Sequence, residues 1–411
     1  MRKEQFKVLL KEAEDAYPNA PAKGYRQVGE KLFDASYNKA NNSLNTNNFS
    51  IKAMTEAALE YKLGISGGVN VGGQNGWDLV KEYEGDARFM ETVTTGAIPT
   101  IIGTVLEKTM IESYNYHTGP YNTLVREIDW TGKDTTKATI PGMQAFSDFK
   151  ERAEGTPYLQ SGLKEKYAEV YLKDFGRIIA LTWEAVVSDE TGLLVERAQS
   201  LGEAGAFHRN QMIVQSVEMI AARSTMGETA TKACNLNGTT LLQAGVYATT
   251  HAAVTGTDLQ VNANLVATNK ALDYDGIDEA WGLARKMTDE KGAYINVVPN
   301  ALLVYATQAA KAWNLMNTNM QPGTAEFNSN FYYKKFNIID TPYLSDTNSW
   351  YLGDFPKQVV WMWVARPASL TKGTESDAFF TSKIIKQWRF SYHGGCGMRD
   401  YRYIIRSAGE S

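Results

Sequence analysis

The stretch Phe175–Ser224, FGRIIALTWEAVVSDETGLLVERAQSLGEAGAFHRNQMIVQSVEMIAARS, limits the possible folds more than any other part of the chain. Ile178, Ile179, Leu181, Thr182 and Trp183 are residue types that suit a pleated, half-buried strand. Ser188 and Asp189 then offer N-caps, and Glu190 and Glu196 place negative charge near a helix start, where the macrodipole favours it. No proline follows until well past Ser224, so the helix is expected over Thr191–Arg223. Its length would be roughly 50 Å at about 1.5 Å per residue, far beyond the usual three or four turns. Leu194, Ala198, Leu201, Gly205, Met212, Met219 and Ala222 fall near one stripe, and glycine and alanine thin its middle. So thin a face suits a strut covered from two sides better than the centre of one compact core. Gly202 and Gly205 are expected to mark a close crossing of another backbone.

The rest of the chain has the same need for cover. In Leu124–Ile140 and Leu163–Trp183 two strand-like arms flank a polar tip near Phe149–Gly162. Such a ribbon, polar on both sides, cannot stand alone and must lie on something. Residues 1–95 read as an arm: a helix at Lys3–Ala16, Pro18 and Pro21, the Asn-rich NKANNSLNTNNFS, then a helix near Ile51–Leu63. The glycines of Gly64–Gly76 lack the Gly-Lys-Ser/Thr ending and the strand–helix frame of a phosphate loop. Beyond the long helix comes a mixed α/β region. It has a helix at Gly276–Glu290, a strand on each side of Pro299, a helix at Gln308–Met316, and three further strands ending in VVWMWVA. KQWRFSYHGGCGMRDYRYIIRS reads as a closing hairpin, with HGGCGM as its turn.

Composition narrows the class. Charged residues are 21% and aromatics 11%, a surface that is polar yet adhesive, as in proteins that bury much of their exterior on partners. A net charge of −4 argues against a dedicated nucleic-acid binder. Cys234 and Cys396 make neither a disulfide framework nor a zinc ribbon, and a reducing compartment is expected. The N-terminus is charged throughout and no apolar run reaches membrane-span length, so the chain reads as soluble and without a membrane partner.

The order of these features resembles the major capsid proteins of tailed bacteriophages, a fold shared with herpesvirus capsid floors and encapsulins. IALTWEAVVSDE running into the long helix, VVPNALLVYATQAAKAW, and the aromatic strand, glycines and Arg-Asp-Tyr-Arg near the C-terminus carry the resemblance. It implies an α+β capsid fold: an N-terminal arm (1–94), a first part of a peripheral domain (95–124), an extended hairpin loop (125–183), a spine-helix segment (184–226), an axial α/β domain (227–366) and a C-terminal hairpin completing the peripheral domain (367–411). It further implies hexamers and pentamers of this chain in an icosahedral shell, sequence-blind contact with packaged double-stranded DNA, and portal, scaffold and decoration proteins as partners. The virion would be its place, after assembly in the bacterial cytoplasm.

Phe149, Lys150, Glu151, Arg152, Glu154 and Tyr158 at the loop tip, with Gly202 and Gly205 on the helix, are the candidates for contact between subunits. The short arm, unlike a coiled coil, implies a separate scaffold or none. Lys150, Lys164 and Lys166 lie on or near the loop, but no acceptor asparagine or catalytic glutamate can be matched, so non-covalent reinforcement is expected. An encapsulin shell shares the fold, and a hydrolase or carbohydrate-binding protein is the alternative of another class.

Catalytic signatures are missing. His393-Gly-Gly-Cys396 is half of a metal site without a second pair among His117, His208 and His251. Asp129, Asp134, Asp148, Glu151 and Glu154 sit on the hairpin rather than in a recognisable pocket, and neither G-x-S-x-G nor H-E-x-x-H occurs. No enzyme activity, metal or cofactor is expected.

Overall fold

The computed structural model describes residues 3–18, 20–38, 43–44, 61, 97–143, 165–182, 193–218, 234–236, 239–241, 247–248, 262–267, 270–288, 294–321, 328–372 and 384–409. It is an α+β structure that divides into two compact units, each built from three separate stretches of chain.

The first unit comprises Met1–Thr118, Asp174–His208 and Ala365–Tyr392. Helices α1 (Lys3–Ala16) and α2 (Pro21–Ser36) pack on each other, and α2 packs on α3 (Ala97–Thr118). Phe6, Leu10 and Ala13 of α1 and Tyr25, Val28 and Leu32 of α2 recur at helical spacing and are buried. The Tyr25 hydroxyl donates to Glu14, tying the two helices, and after α2 the short strands β1 (Tyr37–Asn38) and β2 (Ser43–Leu44) pair antiparallel. The first 36 residues are therefore not a bare arm. Helix α2 is missing from the sequence reading, although Pro21 at its first turn and the Tyr25, Val28, Leu32 spacing are ordinary helix signals. The two prolines there mark a helix start, not an extended linker. Most of the Asn-rich stretch and of the helix expected at Ile51–Leu63 lies outside the described residues. Ile101, Ile102, Val105, Leu106 and Met110 of α3 are all buried, and Glu107 and Lys108 lie on its more open side.

The second unit comprises Gly119–Lys173, Arg209–Val364 and His393–Ser411. Its mixed sheet has the order β10 (Asn337–Thr341), β9 (Ala301–Tyr305), β11 (Trp350–Gly353), β14 (Ile404–Ser407). β9 and β10 are parallel, and β11 is antiparallel to both β9 and β14. Helices α5 (Tyr274–Arg285) and α6 (Ala309–Asn317) enclose a core that includes Ile277, Ala280, Leu302, Val304, Leu315, Tyr332, Trp350 and Ile405. The Asp273 carboxylate caps α5 by accepting from the Gly276 amide at 2.6 Å.

The hairpin is real, and it is divided. β4 (Lys137–Met143) and β5 (Glu165–Tyr171) pair antiparallel from Lys137↔Tyr171 to Met143↔Glu165. Before them, β3 (Arg126–Asp129) joins a different sheet, parallel to β12 (Val359–Lys372); after them, β6 (Lys173–Thr182) joins that second sheet too. The break between β3 and β4 is made by Asp134, whose carboxylate accepts from the Thr136 amide at 2.8 Å and from its hydroxyl. The base of the ribbon is not polar on both sides. Ala138, Ile140, Val170 and Leu172 pack with Val360 and Met362 of β12 into a small core. β5 also pairs with β7 (Cys234–Leu236), which pairs with β8 (Thr239–Leu241).

The expected C-terminal hairpin does not form. β13 (Ile384–Met398) runs straight through HGGCGM, and β14 pairs with β11 instead. The glycines there are not turn residues; none has positive φ. A Cβ on Gly395 would lie 2.0 Å from the Tyr171 carbonyl oxygen, and one on Gly394 2.6 Å from that of Met362. They are small because other backbones cross the strand. Gly395→Ala should therefore destabilise the chain by about 1–3 kcal/mol through overpacking. The midpoint of chemical denaturation measures this, and an unchanged midpoint would show that the crossing is loose.

Candidate functional site

Helix α4 (Leu193–Glu218) is the element on which the other candidate features converge. Its buried stripe is Val195, Ala198, Gly202, Ala206, Arg209, Ile213 and Val217, displaced by about one residue from the stripe read in the sequence. Arg209, a side chain that stays charged, occupies a stripe position, so apolar periodicity points to its neighbours. Thr191 and residues 219–223, the expected ends, lie outside the described residues.

Arg209 is 1% exposed, and its guanidinium has partners on several elements of the second unit. Nη1 donates to Asn122 Oδ1 at 2.6 Å and Nη2 to Glu127 Oε1 at 2.5 Å. Its Cζ stands 5.0 Å from the Trp361 ring centroid and 5.4 Å from that of Trp363. The register of β3 on β12 places Glu127 opposite Trp361, and its second oxygen accepts from Trp363 Nε1 at 3.1 Å. A buried cation is tolerable only when paired and hydrogen-bonded, and indole faces add attraction of about 1–2 kcal/mol when desolvated. The cluster binds no ligand that its geometry reveals; it fixes α4 against β3 and β12.

In the first unit, Gly202 and Gly205 face the chain itself. A Cβ on Gly202 would lie 2.2 Å from the Met110 carbonyl oxygen of α3, and one on Gly205 3.0 Å from the Phe390 ring. The crossing at Gly202 is thus with a backbone of the same chain, and Gly205 meets aromatic side chains. Around it, the Ser113 hydroxyl donates to the Gln199 carbonyl at 3.0 Å, and His117 Nε2 lies 3.3 Å from Glu203. Phe149, Lys150, Glu151, Arg152, Glu154 and Tyr158 all lie outside the described residues.

Of the remaining sequence candidates, Asp148, Glu151, Glu154, Lys164 and His251 lie outside the described residues. His393 and Cys396 sit on one strand at an odd spacing, which sends their side chains to opposite faces. Burial pushes the Cys396 thiol up to about 11, away from thiolate chemistry. Among the described residues no group of three or more His, Cys, Asp or Glu could hold a metal, and no helix is long and apolar enough to cross a membrane. Asp129 lies in β3 and Asp134 in the turn after it.

A family model described as phage capsid protein matches residues 166–407, from β5 through β14. The chain belongs to the phage capsid protein family. Its role is that of a major capsid protein: structural, and part of the virion shell. Similar solved structures include the capsid of the cyanophage P-SCSP1u, at 14% identity over 70% of this chain and 86% of that chain with a TM-score of 0.44. The asymmetric unit of the cyanophage Pam1 capsid is 10% identical over 71% and 93%, TM-score 0.42. That of the bacteriophage PhiM1 mature capsid is 10% identical over 70% and 85%, TM-score 0.41. No curated protein matches the chain.

Two outcomes test the packing around α4. Arg209→Met should cost about 3–5 kcal/mol, because Glu127 is left beside the indoles without its cation. Adding Glu127→Gln, which can still accept from Trp363, should recover part of that loss in thermal melts; no recovery would separate the two residues energetically. The second outcome concerns His208, which lies 2.7 Å from the Tyr392 hydroxyl and beside Phe175. Burial lowers its pKa below 6.5, so the unfolded chain binds the proton more readily. Its neutral form is fully stabilising above that value, and stability should fall as pH drops through it. His208→Gln should flatten the melting-temperature profile in that window.

Proposed function

We propose that many copies of this chain form the icosahedral head of a tailed phage and enclose its double-stranded DNA. The observation that carries this reading is the phage capsid match across 166–407, which spans nearly every element of the second unit. The physical features agree with it. The described part of the ribbon has a small core at its base, and a two-stranded hairpin is marginal in water without further cover. Large apolar side chains stand exposed on the single chain, among them Ile178, Tyr294, Trp313 and Phe331.

In this reading the hairpin of 125–183 reaches over a neighbour, 227–366 is the axial domain whose tip loops meet around five- and six-fold positions, and 95–124, 184–226 and 367–411 form the periphery. Residues 1–94 lace subunits together. DNA contact is electrostatic and indifferent to sequence, made by inward-facing lysines and arginines. Portal, scaffold and decoration proteins complete the particle, which is assembled in the host cytoplasm and held without covalent crosslinks.

Expression of the chain with and without a co-expressed scaffold, followed by size-exclusion chromatography and negative-stain microscopy, should yield closed shells. A well-folded monomer under both conditions would overturn the reading. Deleting 150–162 should leave a folded subunit that no longer closes shells; normal shells from that deletion would remove the bridging role of the loop tip.

A further inference from the structure

Among the described residues of the second unit, six large apolar side chains stand exposed: Tyr294, Val298, Trp313, Met320, Phe331 and Tyr333. Four of them belong to one short piece of structure that is tightly held. Asn330, 6% exposed, is its fastener. The Asn330 side-chain amide donates to the Leu315 carbonyl at 2.7 Å and to that of Thr318 at 2.9 Å, at the end of α6. Its side-chain oxygen accepts from the Tyr332 amide at 2.9 Å, and its own backbone amide donates to the Asn319 carbonyl. Met320 and Ser329 form an antiparallel bridge, and the Lys334 amide donates to the Met316 carbonyl at 2.7 Å. The end of α6, the paired segments and the turn after Asn330 therefore make one knob, residues 313–321 and 328–335. Tyr332 is buried in it and donates to Asp278 at 2.7 Å, whereas Phe331 and Tyr333 on either side stand outward. Side chains carried on so well-ordered a backbone lose little freedom when they bind.

The knob is basic as well as aromatic. Lys335 Nζ rests 3.4 Å from the Phe331 ring centroid and 3.9 Å from that of Trp281, and Lys334 Nζ lies 5.1 Å from that of Tyr333. Lys334 has a φ of 52°, a left-handed conformation that glycine would adopt without cost. A lysine at that position keeps an ammonium against the Tyr333 ring. Trp, Tyr, Phe and Met are the side chains that protein interfaces enrich, and rigid aromatic anchors carry most of their energy.

We propose that this knob is one half of the contact between neighbouring copies in the ring around a five- or six-fold axis, seated on a different surface of the next copy. A two-fold contact of knob on knob would set Lys334 and Lys335 against their own counterparts. The contact is therefore heterologous, and heterologous contacts whose rotation closes make rings. The chain carries a net charge of −4, so the surface that a basic knob meets on another copy is on balance acidic. Duplex DNA is a poorer occupant. It offers phosphates rather than base faces, and the rings of Trp313 and Phe331, 61% and 59% exposed, would stay in water.

The inference rests on the shell reading and names a surface within it. Its test places the photoreactive amino acid benzoylphenylalanine at position 313 of the full chain, irradiates purified particles and reads denaturing gels. A ladder of covalent products is expected, from dimer upward to hexamer, because each copy captures one neighbour and is captured by the other. A product that stops at the dimer assigns the knob to a two-fold contact and overturns the ring, and particles without any chain-to-chain product overturn it too. A nuclease-sensitive adduct, or one with another protein, gives the knob to that partner and likewise overturns the proposal. A ladder from soluble protein that never forms particles overturns the shell reading alone; neither ladder nor particles overturns both. Trp313→Lys gives an independent readout. It should leave the melting temperature of the subunit unchanged, because the side chain is exposed, and lower the yield of particles by about tenfold or more. Full particle yield from that variant overturns the contact.

Discussion

A guanidinium buried against two adjacent indoles sets the terms for the second unit. Arg209 cannot be solvated where it stands, so its neighbours must supply what water would. Glu127 and Asn122 provide the acceptors and Trp361 and Trp363 the faces. These come from three elements, Asn122 from the 3-10 turn before β3, Glu127 from β3 and both indoles from β12, and the pairing of β3 on β12 fixes Glu127 beside the indoles. The arrangement stabilises less than an apolar cluster of equal volume could. What it adds is direction. Aliphatic side chains allow a helix to slide by a turn, whereas a forked cation with two fixed acceptors admits one register.

The same residue explains why the long helix was legible in outline and misread in detail. Capping residues and the absence of proline announce α4, and the antiparallel ribbon can be foreseen from its alternation. Arg209 at a buried position shifts the apparent apolar stripe by one residue. Pattern reading also fails where glycine serves packing. In HGGCGM the residues that suggest a turn are there because Tyr171 and Met362 carbonyls cross the strand, a relation between segments far apart in sequence. Helix α2 carries ordinary signals, but its flanking prolines and asparagines draw attention to linker chemistry. Of the contact candidates, Gly202 and Gly205 fall where α3 and the Phe390 ring need space, and six lie beyond the described residues.

Unfinished apolar surface remains on the subunit once its own cores are counted, in the scattered exposed Trp, Tyr and Phe side chains of the second unit. The charges of α5 follow the helix macrodipole, with Asp275 in its first turn and Arg285 in its last. For a capsid protein, apolar patches supply adhesion and charge patterns choose among orientations.

The interleaving of the chain has a consequence for its synthesis. Gly103 of α3 lacks a side chain because the Trp388 indole of β13 fills that space, with Nε1 2.9 Å from the position of a Cβ. The two residues leave the ribosome far apart in time. At about 5–20 residues per second, the apolar surface of α3 waits on the order of a quarter of a minute to a minute for its indole. A nascent subunit is therefore adhesive before it has its final shape. Correct growth of a shell then depends on keeping incomplete chains apart, by translation rate, chaperone binding or dilution, as much as on the contacts made by finished ones.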